Sequence, residues 1–306
     1  MKKDIKTLLD LEREDFEELF VRALDLKQRH KRGILDRSLT GRTLGMIFEK
    51  ASTRTRVSFE AAIAQLGGTP VFLSTNDLQL ARNEPIKDTA RVLSRFIDCI
   101  AIRTYSQALV EEFADFSTIP IINALTDFYH PCQILSDLLT IIECHGGYKE
   151  KKIVWVGDGN NVANSWINAA SVLGLNLFLA CPEGYAPDSE VLSNAQKKGV
   201  GKITLMTDPV AAVKDADIIY TDVWASMGQE DEMADRKKIF QPFQVNQALL
   251  DHASKDAIVM HCLPAHKGEE ITEEVLEGPQ SVVWDQSENK LHMHKAILET
   301  LILKEK

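Results

Sequence analysis

The chain has 306 residues, enough for about two domains at the usual length of about 150 each. Its composition, 44% hydrophobic and 26% charged, is that of a soluble globular protein and excludes a fibre, a disordered chain and a disulfide scaffold. A formal net charge of −10 repels phosphate backbones and anionic lipid, so no nucleic-acid partner and no membrane partner is expected, although a local basic pocket can still hold a small anion.

The N-terminal stretch MKKDIKTLLDLERED is charged throughout and lacks the apolar core of a secretory signal. Apolar runs predict strands at 44–48, 71–73, 99–102 and 119–122. Between the first two, RVSFEAAIAQLGG reads as a helix starting near Arg56 and stopped by Gly67-Gly68. HPCQILSDLLTIIECHGG reads as a helix from Pro131 to the glycine pair at 146–147, a natural joint between two halves. A second series follows, with strands expected at 153–156, 177–180, 203–206, 218–220 and 257–260. The uncharged run 159–182 has the length of a membrane span, but its five asparagines mark it as buried α/β core. The last stretch, NKLHMHKAILETLILK, has helical spacing and should pack back on the body.

Alternating strands and helices give an α/β fold: two doubly wound parallel-sheet domains joined by helices, with the active site expected in the cleft between them. The expected domains are 1–143, with a C-terminal helix at about 286–306 packed on it, and 144–285. The five cysteines are odd in number and contain no C-x-x-C, which fits a reduced, cytoplasmic protein.

The sharpest local feature is FEKASTRTRVSFE. Ser52, Thr53, Arg54 and Thr55 stand at a strand-to-helix turn, where hydroxyls, a guanidinium and free backbone N–H groups make an anion cradle. The bland alternative is a solvated turn with a Ser or Thr cap. Arg103 closes a strand, and His130 precedes a helix with Gln133 one turn further on. Since parallel strands end at one sheet edge, Arg54, Arg103 and His130 can converge there. Alone, each would read as a surface ion pair or a satisfied core group.

GDGNN at 157–161 offers Gly-x-Gly but places Val162 at the third glycine position, so a tight turn into a helix is preferred over dinucleotide binding. Asn160 and Asn161 could instead hydrogen-bond a polar substrate. Asp222 ends a strand and could meet an ammonium group. In HCLPAH, Cys262 can be a small buried hydrophobe and His261 and His266 packing or solvent groups; zinc finds no second Cys/His pair at finger spacing.

In order along nearly the whole chain, STRTR, HPCQ, DVWASMG and HCLP resemble the aspartate/ornithine transcarbamylase family, on its ornithine side. The resemblance implies that Ser52, Thr53, Arg54, Thr55, Arg103, His130, Gln133, Cys262, Leu263 and Lys290 bind carbamoyl phosphate, together with Gln79 from a loop reaching into a neighbouring subunit's site. Asn161, Asp222, Ser226 and Met227 would bind ornithine, and Arg103, His130, Cys262 and Asp222 would act in catalysis. It further implies carbamoyl transfer to the side-chain amine of ornithine, giving citrulline and phosphate in arginine metabolism. A homotrimer with shared sites is expected, with no metal and no organic cofactor. Transfer to aspartate or putrescine, a nicotinamide-dependent dehydrogenase and a non-catalytic small-molecule sensor on the same fold are the alternatives. Two positions depart from the family pattern: Lys290 replaces an arginine of N-R-x-H, losing the bidentate fork, and Ala81 replaces the glycine of Q-x-G.

Overall fold

The computed structural model describes residues 3–74, 84–225 and 233–304. Gln79, Ala81, Ser226 and Met227 therefore lie outside the described residues. The chain divides into two units, Met1–Leu139 with Glu288–Lys306, and Thr140–Ser287.

In the first unit, β1 (Thr43–Phe48), β2 (Thr69–Ser74), β3 (Cys99–Arg103) and β4 (Ile121–Leu125) form a parallel sheet in the order β2-β1-β3-β4. Its helices are α1 (Arg13–Lys31), α2 (Thr53–Gln65), α3 (Ile86–Leu93) and α4 (Gln107–Phe116). β1 and β3 are almost wholly buried, which is why they read as unbroken apolar runs rather than alternating ones. Ile47, Ile100 and Ile102 pack with Val110 and Phe113 of α4 to form a core on one face.

The second unit holds β5 (Lys152–Val156), β6 (Asn176–Ala180), β7 (Lys202–Met206), β8 (Ile218–Thr221) and β9 (Ile258–His261), parallel in the order β7-β6-β5-β8-β9. Around it lie α6 (Asn161–Leu173), α7 (Ser189–Lys198), α8 (Pro209–Val213), α9 (Met233–Phe240), α10 (Gln247–Leu250) and α11 (Glu273–Leu276). Val154, Val156, Ile219 and Val259 fill the core with Val213 and Leu276. The chain passes between the units inside α5 (Pro131–His145) and again inside α12 (Val283–Lys304).

Each sheet reverses its winding direction once, between β1 and β3 in the first unit and between β5 and β8 in the second. Ligands of open α/β sheets bind outside the carboxyl ends of the strands at that reversal. Residues 52–55 and Arg103 stand at the first reversal, the GDGNN turn and Asp222 at the second.

Three elements have a boundary three residues from the expected one. Helix α2 begins at Thr53 rather than near Arg56, because the Ser52 hydroxyl accepts the N–H of Thr55 at 3.2 Å and caps it three residues early. The strand expected at 119–122 runs Ile121–Leu125: Pro120 has no N–H to give the ladder, and its carbonyl instead accepts from Ile100. The final helix starts at Val283. The glycine stop after α2 holds, with Gly67 at φ +85° and Gly68 donating back to Ile63. The uncharged run 159–182 folds as a turn, α6 and β6, and no helix among the described residues is long and apolar enough to cross a membrane.

Candidate active site

The half-site of the first unit begins at the N-terminus of α2. Thr55 is buried, and Arg54 is half-buried with no carboxylate among the described residues paired to it. A cation in that state, at the positive end of a helix, suits an anion from outside the chain. Arg103 is buried at the end of β3, where the register with β4 slips by one residue, and its carbonyl accepts the N–H of Glu49 at 2.8 Å. Such a bulge re-aims the strand end beside a site.

His130 is buried just before α5, and Gln133 donates its backbone N–H to the carbonyl of His130 at 3.2 Å. The Gln133 amide is a bridge. Its nitrogen donates to Asp137 Oδ1 at 2.9 Å, and its oxygen accepts from Lys290 Nζ at 2.9 Å. Lys290, on α12, is thus aimed by a glutamine whose own orientation a buried carboxylate fixes. Burial, and after it the charges of Lys290 and Arg103, hold the His130 imidazole well below its ordinary pKa, so it is neutral at pH 7. A neutral imidazole among cations can offer an N–H without adding charge. Cys132, between them, is a packing residue: burial pushes its thiol up to about 12, and it donates to the Asn123 carbonyl at 3.4 Å.

The half-site of the second unit centres on Asp222, buried at the end of β8. One carboxylate oxygen accepts from Asn160 Nδ2 at 2.8 Å; the other accepts from the Val223 N–H at 2.8 Å and from the Cys262 thiol at 2.9 Å. Asn160 is also the N-cap of α6, its side-chain oxygen accepting from Val162 and Ala163, so one residue ties the helix start to the carboxylate. The polar contact with Asp222 thus runs through Asn160, next to the expected Asn161, which opens α6.

The GDGNN turn is built for protein packing. A Cβ on Gly159 would stand 2.1 Å from the nitrogen of Pro187, so this glycine is needed for the close approach of the 186–187 backbone. The turn into a helix is what the missing third glycine implied. Asp158, within it, pairs with Arg236 at 3.2 Å; burial raises its carboxyl to about 6 against the pull of that guanidinium.

Leu263 has a left-handed φ of +55°, a conformation costing a branched residue ~1 kcal/mol. Its N–H donates to His261 Nδ1 at 2.8 Å, which leaves His261 Nε2–H to donate to Glu270 at 3.0 Å. Glu270 also accepts the His266 N–H at 2.6 Å. His261 therefore holds the turn that presents Cys262 and Leu263, rather than merely filling space, and Glu270 has no counterpart in the sequence reading. Two sets of side chains bring ligand-type atoms within 4.8 Å of each other, Asp222 with His261 and Cys262, and His266 with Glu269 and Glu270. Both ring nitrogens of His261 and the Cys262 thiol are engaged with protein partners, so the first set works as a hydrogen-bond network.

The buried histidines make stability pH-dependent. His130 and His294 are held well below 6.5, chiefly by burial, and burial lowers His292 to about 4. Below pH 6.5 the unfolded chain takes up protons that the folded one refuses, so stability falls by about 1.4 kcal/mol per pH unit for each such histidine. Asp158, raised by burial to about 6, and Asp4, also raised by burial, work the other way, but His145, likewise lowered by burial, adds a fourth histidine to the first effect. Urea unfolding should thus show a lower midpoint at pH 5.5 than at pH 7.5, and an equal or higher midpoint would contradict the neutral histidines.

Comparison with known proteins places both units. Residues 3–143 match the family model described as the carbamoyl-P binding domain of aspartate/ornithine carbamoyltransferase, and residues 149–301 match its Asp/Orn binding domain. The chain belongs to the aspartate/ornithine carbamoyltransferase family. It is 58% identical over 302 residues to the ornithine carbamoyltransferase of Syntrophus aciditrophicus, covering 99% of this chain and 100% of that one. The solved ornithine carbamoyltransferase of Pyrococcus furiosus is similar at TM-score 0.92 and 54% identity, over 96% of this chain and 95% of that one. The anabolic ornithine carbamoyltransferase of Campylobacter jejuni aligns at TM-score 0.92 and 40% identity, over 99% of this chain and 100% of that one. Within this carbamoyltransferase, the anion-suited groups lie in the unit matched as carbamoyl-P binding. The Asp222 carboxylate lies in the unit matched as Asp/Orn binding.

Proposed function

We propose that this chain transfers the carbamoyl group of carbamoyl phosphate to the side-chain amine of L-ornithine, releasing L-citrulline and phosphate. The observation that carries the choice of amine is the Asp222 cluster. A buried carboxylate, oriented by Asn160, Val223 and Cys262, suits a side-chain ammonium and opposes the second carboxylate of aspartate.

The phosphate is neutralised by Arg54 and the hydroxyls and N–H groups of 52–55, an anion site at a helix N-terminus. Arg103, His130 and Thr55 donate to the carbonyl oxygen, whose charge grows as the tetrahedral intermediate forms. Lys290, aimed by Gln133, adds a cation on the same side. An amine of pKa about 10.4 must lose a proton before it attacks, at a cost of ~4–5 kcal/mol at pH 7 unless the site assists. Asp222 takes that proton, with Cys262 beside it positioning the amine. The C–N bond forms, the bond from carbon to phosphate oxygen breaks with its electron pair leaving on phosphate, and the departing phosphate takes the second proton from the newly bonded nitrogen. Leu263, held by His261, lies at the reacting end, and Asn161, Ser226 and Met227 bind the amino-acid portion of ornithine.

The direct test is a citrulline assay with ornithine, aspartate and putrescine in parallel. Turnover with ornithine alone is expected; preference for either other amine, or no turnover with any, would overturn the reading.

A cytoplasmic homotrimer whose sites each borrow the Gln79 loop of a neighbour completes the proposal, supported by the family resemblance. Arg54→Ala and Gln79→Ala chains damage different halves of one shared site. Refolded together, they should regain part of the activity each lacks alone. Hybrids of confirmed mass that stay inactive would show each site to be built within one chain.

A further inference from the structure

His294 is buried on α12, four residues after Lys290 and so on the same side of that helix, and the reaction just described gives it no task. Its ring lies flat on Phe59 of α2, with centroids 3.7 Å apart and planes at 11°. Its Nδ1 stands 3.0 Å from the hydroxyl oxygen of Ser58, also on α2. The Ser58 hydroxyl donates to the Thr55 carbonyl at 3.1 Å, so the proton between Ser58 and the ring belongs to Nδ1. Nε2 then keeps a lone pair, buried without a hydrogen-bond partner. Near the Lys290 ammonium a lone pair is favoured over an N–H, which agrees with the same tautomer. Burial, and after it the Lys290 charge, hold the ring well below its ordinary pKa and neutral at pH 7.

This relay ends at the anion cradle. Thr55 is held from both sides: its N–H donates to the Ser52 hydroxyl at 3.2 Å, and its carbonyl accepts from Ser58. Ser58 is in turn fixed by His294. Lys290 lies one turn back on the same helix, aimed by Gln133 at 2.9 Å. A leucine or isoleucine at 294 would fill the space without leaving a polar nitrogen buried and unpaired. An imidazole kept there, bonded to the hydroxyl that holds the Thr55 carbonyl, does more than pack.

We propose that His294 is a positioning residue for carbamoyl phosphate: through Ser58 it fixes Thr55, and with it the first turn of α2, against Lys290. The inference rests on the reading of the first unit as the carbamoyl phosphate half-site. The ring itself does not touch the ligand. Its function lies in one N–H, so losing that donor and losing the Ser58 hydroxyl have the same consequence.

His294→Phe keeps a flat ring on Phe59 and loses the donor. His294→Asn loses the stack but can place an amide N–H where Nδ1–H stood. These two, Ser58→Ala and the His294→Phe/Ser58→Ala double variant are compared with wild type in the full chain. Carbamoyl phosphate titration and steady-state kinetics are followed in each, with melting temperature alongside. His294→Phe and Ser58→Ala should each weaken carbamoyl phosphate binding about fivefold and raise its KM alike, with the KM for ornithine unchanged. The double variant should bind no more weakly than the worse single one. His294→Asn should recover most of the affinity, even though losing the stack lowers its melting temperature.

A purely structural role would rank the two His294 variants by melting temperature, with phenylalanine nearer wild type. Affinity following that order would overturn the proposal. Weakened binding in His294→Phe beside normal binding in Ser58→Ala would also overturn it, because the ring would then act by another route. Where His294→Phe does not fold, Ser58→Ala decides, and normal affinity there overturns the proposal. The wild-type titration separates this from the larger reading. If the wild-type chain does not bind carbamoyl phosphate, the functional assignment fails. If it binds and all four variants bind equally, only the role of His294 fails.

Discussion

Arg54→Ala should lower kcat/KM for carbamoyl phosphate by about two orders of magnitude while leaving the fold intact. The guanidinium is half-buried and no carboxylate among the described residues pairs with it, so its removal breaks no ion pair among those residues. What it removes is a charge-assisted contact to phosphate, worth ~1.5–3 kcal/mol, at the point where leaving-group charge grows. The melting temperature should stay within about 2 °C of wild type. Near-normal kinetics would show that 52–55 is only a helix cap. A large drop in melting temperature would show that Arg54 is structural.

Asp222→Asn should have the larger effect on the amine side, about three orders of magnitude in kcat/KM for ornithine. The carboxylate accepts from Asn160, Val223 and Cys262, and an asparagine of the same shape can keep some of these bonds while losing charge and basicity. The variant can neither attract the ammonium nor take its proton. Raising the pH should restore part of the rate, because the free amine grows more abundant as pH approaches about 10.4. A variant with normal ornithine kinetics at pH 7 would remove Asp222 from the reaction.

The strands were legible because buried parallel strands carry unbroken apolar runs; 257–260 (AIVM) and 218–220 (IIY) read as strands without neighbours to confirm them, each ending one residue before the observed end of β9 and β8. The chemistry-bearing types were legible where they sit together in the chain, as in STRT and HPCQ. What stayed hidden depends on long-range packing. Asn160 meets Asp222 across 62 residues and Cys262 meets Asp222 across 40, separations at which one sequence carries no pairing signal. The work of His261 rests on one backbone φ at Leu263 and on Glu270 nine residues further on. Gly159 shows the reverse case: the sequence marks a glycine, but only the 186–187 backbone reveals what needs it.

The proposed reaction divides the labour, with carbamoyl phosphate held by the first unit's cradle and the amine answered by Asp222 in the second. Calorimetric titration of carbamoyl phosphate into wild type, Arg54→Ala and Asp222→Asn tests it in one experiment, free of turnover. Wild type and Asp222→Asn should bind with similar affinity, and Arg54→Ala should bind more weakly by about two orders of magnitude. Carbamoyl phosphate binding that survives Arg54→Ala intact, or that disappears in Asp222→Asn, would contradict it.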